Sequence, residues 1–294
     1  MNKIICACVL ILVLITTVVG AGDRPSTIDE FYDASARTRV IAHRGFSGAA
    51  PENTLAAVRA AIEIQADMVE IDVTLTADGH VVVIHDETLD QTTGGSGKVS
   101  DFSLAELQQL DAGSWFDPSF AGERIPTLDA VLDEVEGRIL LNVEIKSEAV
   151  DRGIVTKVAS AIQRQGLIDQ VVVSSFSPTA LEEMHAEAPD IRTAVLYNAK
   201  VHKGQDVVEI VTGLGASVFH IKRQRLTKEM MRRCAENDIP VGIYTVNKPR
   251  RMRRMVKKGI DAIFTDHPDR LLEILNPTAT AVQAPAPTPL AAMP

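Results

Sequence analysis

The chain has 294 residues, of which 46% are hydrophobic and 23% charged, and a formal net charge of −9. That length and apolar content suit one large core, so a single α/β barrel of roughly 250 residues fits as well as two smaller domains. The acidic balance argues against nucleic acid as a partner.

In chain order, Met1-Asn2-Lys3 supplies a positive start, Ile4 to Val19 is uncharged, and Val19-Gly20-Ala21 offers small residues at a cleavage site. Residues 1–21 are therefore expected to be a secretory signal peptide, leaving a periplasmic or extracellular mature chain. The rival is an N-terminal membrane anchor, because the run approaches the ~20 residues that span a bilayer. Cys6 and Cys8 leave with the signal, so only Cys234 remains and no internal disulfide is expected. A chain of this size does not need one.

Beyond the leader, β-branched runs alternate with helical patterns, as in repeated strand-helix units. Strands are expected at Val40–His43, Met68–Val73, Ile139–Ile145, Val171–Ser175, Thr193–Leu196, Ser217–His220, Val241–Tyr244 and Ala262–Phe264. Helices are expected at Thr54–Gln65, Asp151–Gln165, Pro178–Ala186, Asp206–Leu214, Lys228–Asn237, Arg250–Lys258 and Pro268–Leu275, with Asn53, Ser177, Thr227 and Asp266 as N-caps. Such units make a (β/α)₈ TIM barrel over residues 22–276. Residues 74–132 break the rhythm and read as a small insertion after the second strand. It holds a strand at Val81–Ile84, turned back at Asp78-Gly79, and helices near Leu104–Leu110 and Leu128–Val135. The Pro- and Ala-rich residues 277–294 are expected to be a disordered tail.

Side chains alternate faces along a strand, so Glu70 and Asp72 share one side, as do Glu144 and Lys146. With the apolar set packed outward against helices, three carboxylates point into the barrel. Crowded carboxylates repel unless a cation neutralises them, and an all-oxygen set suits Mg²⁺ or Ca²⁺. The alternative is a structural network in which Arg44 and Lys146 pair with the acids. His43 closes the first strand and His85 follows the hairpin, so both are expected at the mouth, one to accept a proton and the other to donate one. Arg44 can grip phosphate with a bidentate fork and Lys146 with a point charge.

Several features attract the plainer reading. Gly94-Gly95-Ser96-Gly97-Lys98 lacks the first glycine and the final Ser or Thr of a nucleotide loop and is expected to be a flexible turn. His80, His185 and His202 are expected to face solvent. The basic run Lys248–Lys258 has Met252, Met255 and Val256 opposite, as a solvated helix face would. Ser174, Ser175 and His220 end strands without a nucleophile elbow and receive no role.

Taken together, His43-Arg44-Gly45, Pro51-Glu52-Asn53-Thr54, Glu70-Ile71-Asp72-Val73, His85-Asp86 and Thr92-Thr93-Gly94 resemble the opening signature of glycerophosphodiester phosphodiesterases. Glu144-Ile145-Lys146, Ser174-Ser175-Phe176, Tyr244-Thr245-Val246-Asn247 and Thr265-Asp266-His267-Pro268 resemble the later strand ends of that family. The resemblance runs from about Val40 to Leu275. It implies a TIM barrel with an insertion after the second strand, metal held by Glu70, Asp72 and Glu144, acid-base work by His43 and His85, and phosphate held by Arg44 and Lys146. Tyr244 stands where many relatives carry Trp and would line the glycerol pocket. The implied partner is a small glycerophosphodiester, with no nucleic acid and no stable membrane insertion after signal cleavage. Alternatives are a phospholipase D-like or sphingomyelinase-like enzyme acting on intact lipid, and a non-catalytic phosphodiester-binding barrel.

Overall fold

In the computed structural model, which describes residues 24–33 and 37–277, eight parallel strands close into a barrel. Its strands are β1 (Arg39–His43), β2 (Met68–Leu75), β4 (Leu140–Ile145), β5 (Val171–Ser175), β6 (Arg192–Leu196), β7 (Val218–Lys222), β8 (Val241–Tyr244) and β9 (Ala262–Thr265). Each pairs in parallel with the next in that order, and β9 returns to β1. A short β3 (Val81–Val83) folds back antiparallel on β2, with Val73 opposite Val83. The expected leader, and the expected tail beyond Pro277, lie outside the described residues.

Helices α2 (Leu55–Glu63), α4 (Leu128–Val135), α5 (Ile154–Arg164), α6 (Pro178–Glu187), α7 (Val207–Gly213), α8 (Lys228–Ala235), α9 (Pro249–Val256) and α10 (Pro268–Leu275) surround the barrel. Several begin where a side-chain oxygen accepts a free backbone N–H, at Thr54, Thr127, Ser177, Asp206 and Thr227. Two expected caps are corrected. Thr54, not Asn53, caps α2, and His267, not Asp266, occupies the N-cap of α10. In both cases the displaced residue is held by a side chain of the barrel mouth.

The strand alternation divides the core in two. Val69, Ile71, Val73, Val143 and Ile145 face outward into one large layer shared with the helices. Ile41, Met68, Leu140, Val172, Ala194, Val218, Ala262 and Phe264 face inward and fill the lower barrel. A short helix missing from the sequence reading, α1 (Ile28–Phe31), closes this floor with Ile28, Phe31 and Tyr32. Phe31 is only 1% exposed, and burying such a side chain stabilises by roughly 2–3 kcal/mol. One turn of helix has no periodicity for sequence to reveal.

The insertion has its own small core of Val82, Ile84, Leu89, Val99, Leu107, Ala112 and Ile125. Its helix α3 is shorter than expected, Leu104–Leu107, and starts with a capping box between Ser103 and Glu106. Gly94–Lys98 is an irregular loop whose last residue bridges Thr88, and it is followed by a 3₁₀ turn at Val99–Asp101 rather than the helix a nucleotide loop requires. His80 and His185 are exposed, but His202 is buried against Tyr197, which corrects its expected exposure. Its backbone N–H turns back to Asn198, folding the ring under the loop.

Candidate active site

The register of β1, β2 and β4 assembles the site. His43 stands beside Glu70, and Asp72 beside Glu144, so inward side chains of neighbouring strands meet at the C-terminal ends. Carboxylate oxygens of Glu70, Asp72 and Glu144 lie within 4.8 Å of one another. They line a cavity of about 500 Å³, which His43, Arg44, His85, Lys146 and Tyr244 also line. Every candidate named from the sequence is therefore brought to one mouth.

Strand ends alone do not hold Arg44. The chain must turn sharply after β1, and Arg44 and Gly45 both take positive φ, 57° and 77°. A Cβ on Gly45 would lie 2.6 Å from the backbone carbon of Ala57, so only glycine fits. The turn delivers the Arg44 N–H to Glu70 at 2.9 Å and the Gly45 N–H to the Glu70 carbonyl at 3.2 Å. Asn53, also at positive φ, donates to the Asp72 carboxylate at 2.9 Å and accepts the Asp72 N–H at 3.1 Å.

Charge within the cluster is unevenly shared. Lys146 Nζ lies 3.0 Å from both Asp72 and Glu144, and Arg44 Nε lies 3.4 Å from Asp72. Burial opposes ionisation of Asp72, but Lys146 and Arg44 outweigh it and hold the group down at about 2. Glu70 has less help, and burial together with the charge of Asp72 pushes it up to about 8. Burial and Asp72 also raise Glu144. Two cations thus leave three carboxylates, Glu70 and Asp72 buried and Glu144 half-buried, under-neutralised. Converging oxygen donors with residual negative charge fit a hard divalent cation such as Mg²⁺ or Ca²⁺.

Both histidines have a carboxylate on Nδ1. His43 Nδ1 lies 2.7 Å from Asp266, and His85 Nδ1 lies 2.5 Å from Asp86. Such a partner fixes the ring and leaves Nε2 to carry or accept the exchanging proton. Burial works against a charged His43 ring, but the Asp266 hydrogen bond and the charge of Glu70 outweigh it and raise its pKa. Asp266 is held in turn by Asn247, whose Nδ2 donates at 2.5 Å and whose Oδ1 accepts the Asp266 N–H at 3.0 Å. No local sequence pattern signals this Asp266–Asn247 support. Asp266 lies 223 residues from His43, a pairing that only barrel closure creates.

The opposite wall differs in character. Phe176, Leu196, Tyr244 and Phe264 give it an apolar face, with the Tyr244 ring edge-on to Phe176 at 6.2 Å and to Phe264 at 6.1 Å. Ser174 and Ser175 lie buried below, Ser174 accepting from Asn142 and Ser175 donating to the Ile145 carbonyl. His220 is buried in the barrel, where its Nε2 meets the Tyr32 hydroxyl at 3.1 Å. These three residues serve the fold rather than the cavity.

Comparison with known proteins agrees with this geometry. The sequence profile of the Glycerophosphoryl diester phosphodiesterase family matches residues 43–270. The chain belongs to that family. A glycerophosphodiester phosphodiesterase from Caldanaerobacter subterraneus subsp. tengcongensis is 40% identical over 241 residues, 81% of this chain and 98% of the relative. Among solved structures, an Oleispira antarctica phosphodiesterase in complex with the product sn-glycerol-3-phosphate is similar at TM-score 0.77 and 31% identity, covering 82% of this chain and 97% of the other. A glycerophosphodiester phosphodiesterase from Agrobacterium tumefaciens is similar at TM-score 0.70 and 32% identity, covering 80% and 98%. As a member of the family, the chain is a phosphoric diester hydrolase with a TIM-barrel fold.

Proposed function

We propose that this phosphodiesterase hydrolyses glycerophosphodiesters, such as deacylated phospholipids, to sn-glycerol 3-phosphate and an alcohol, with a divalent cation and two histidines. The observation that carries the proposal is the meeting of two Asp-supported histidines and three carboxylates in one cavity. The relative from Oleispira antarctica, solved with sn-glycerol-3-phosphate, supports the same product here.

Glu70, Asp72 and Glu144 would hold Mg²⁺ or Ca²⁺, which when bound neutralises phosphate charge and lowers the pKa of a hydroxyl it touches. Lys146 uses two of its three N–H donors on carboxylates and keeps one for a phosphate oxygen. Arg44 anchors one terminal nitrogen on Glu52 at 2.7 Å and turns the rest of its fork to the same oxygens. Of His43 and His85, one takes the proton of the attacking hydroxyl at Nε2 and the other gives a proton to the leaving alkoxide. Asp266 and Asp86 stabilise whichever ring carries the charge. The Tyr244 ring covers the glycerol carbons and excludes water from them. The positive start at Lys3 and the uncharged run from Ile4 to Val19 support export, so the substrate is met outside the cytoplasm.

The test is release of glycerol 3-phosphate from glycerophosphocholine, with chelator and with Mg²⁺ or Ca²⁺ restored. Turnover lost with chelator and recovered with one ion is expected, as is loss of most turnover in His43→Ala and His85→Ala with metal binding retained. No turnover with either ion by the folded protein would refute the proposal and turn the search to intact lipids.

A further inference from the structure

The rim of the catalytic mouth is strongly polarised. On the side of the insertion and the loop after β4, the cavity is edged by Asp86, Glu87 and Glu148. On the other side, the end of β7 and the loops after β6, β7 and β8 carry Lys200, Lys203, Lys222, Arg225 and Lys248, all exposed. The one carboxylate on these three loops, Asp206, is already taken by Arg233 at 2.9 Å. None of the five basic side chains makes an ion pair or hydrogen bond among the described residues. A chain with a net charge of −9 thus gathers unneutralised positive charge at one edge of its active site.

Of these five, Lys222 alone lines the cavity itself. It ends β7, in register with Tyr244 on β8. In the closed strand order β7 stands four places from β2, directly across the barrel from Glu70 and Asp72. Lys222 is therefore remote from Arg44 and Lys146, which flank the acid cluster where the scissile phosphate must sit. The glycerol end of a glycerophosphodiester carries only hydroxyl groups. Tyr244 beside it takes the glycerol carbons, whose hydroxyl groups leave the charge of Lys222 unanswered, so the anion this exposed lysine can pair with is one carried by the leaving alcohol.

We propose that Lys222, backed by the basic rim of the β6, β7 and β8 loops, binds a second anionic group, so that the enzyme prefers glycerophosphodiesters whose leaving alcohol carries a further phosphate. The inference rests on the phosphodiesterase reading above and adds a substrate class to it. Charge at the rim draws such a substrate toward the mouth, and the acidic opposite edge repels its second phosphate, so the two edges together orient it. A flat membrane surface would meet the rim but not a lysine inside the cavity, which favours a small or oligomeric phosphodiester over a lipid bilayer.

The experiment compares two substrates with the same scissile bond, glycerophosphoglycerol and bis(glycerophospho)glycerol, using the mature chain with its activating ion. One added charge contact corresponds to a preference of about tenfold in kcat/KM for the second compound, carried by KM. Because exposed charges are screened, the preference is expected to shrink as salt rises. Lys222→Gln should bring the ratio near one, and Lys203→Gln with Arg225→Gln should reduce it in part. A wild-type ratio near one overturns the inference and leaves the parent function standing. An equal loss on both substrates in Lys222→Gln also overturns it, by giving the lysine to the scissile centre. An unchanged ratio together with lost binding to phosphatidylglycerol vesicles in the rim variant would overturn it in favour of a membrane contact. Turnover of neither substrate by the wild type would refute the phosphodiesterase reading first.

Discussion

Replacing Asp266 with Asn probes the support of His43 while keeping shape and most hydrogen bonds. The native carboxylate accepts from His43 Nδ1 at 2.7 Å, and Asn247 holds its other oxygen and its backbone N–H. An amide at this position loses the charge that stabilises the imidazolium and can present N–H to Nδ1, moving the ring proton to the wrong nitrogen. A charge-assisted hydrogen bond is worth about 1.5–3 kcal/mol, so kcat should fall by roughly 10- to 150-fold. The pH profile supplies a second reading. Asp266 raises the pKa of His43, so its loss lowers that pKa and moves the corresponding limb of the kcat profile to lower pH. The direction is the same whether His43 gives or takes the proton. Release of glycerol 3-phosphate measured across pH, beside a thermal melt, separates this from unfolding. A variant within about twofold of wild-type kcat with an unmoved limb would refute the role.

Glu70→Gln should weaken Mg²⁺ or Ca²⁺ binding in a calorimetric titration. An unchanged titration would assign the three acids to a charge network with Arg44 and Lys146. Gly45→Ala forces a Cβ to within 2.6 Å of the Ala57 backbone at positive φ, so a loss of about 2 kcal/mol in denaturant unfolding is expected, and a neutral effect would mean the turn can shift. His220 has its pKa pushed down to about 3 by burial, against about 6.5 unfolded. Stability linked to this neutral ring is complete above pH 6.5 and is lost as pH falls from 6.5 toward 3, by up to about 5 kcal/mol. Denaturant midpoints of wild type and His220→Gln across that window should converge at acid pH, and parallel curves would reject the linkage.

The barrel was legible because its strands are short, β-branched and regularly spaced, and because their alternation alone puts Glu70, Asp72 and Glu144 on the inner face. The Lys248–Lys258 run was legible for the same kind of reason. Met252 and Met255 are buried under an otherwise exposed basic helix. What escaped was long-range or too short to be periodic. Asp266 reads locally as a helix cap, yet its carboxylate is drawn to a histidine at the other end of the chain. Asn53 likewise reads as a cap but leaves that place to Thr54 and braces Asp72. His202 looks like a loop residue, and only the fold of that loop against Tyr197 buries it.

Because Ile28, Phe31 and Tyr32 seal the lower barrel against Met68, Leu140 and Phe264, the catalytic chamber is a blind well. Substrate, water, protons and both products must share its upper opening. In the proposed reaction, release of sn-glycerol 3-phosphate therefore competes with arrival of the next diester, and a product that lingers in the well blocks the route by which it would be replaced. The dry floor also leaves the charges above it without solvent on one side, so their fields reach a bound phosphate with little screening.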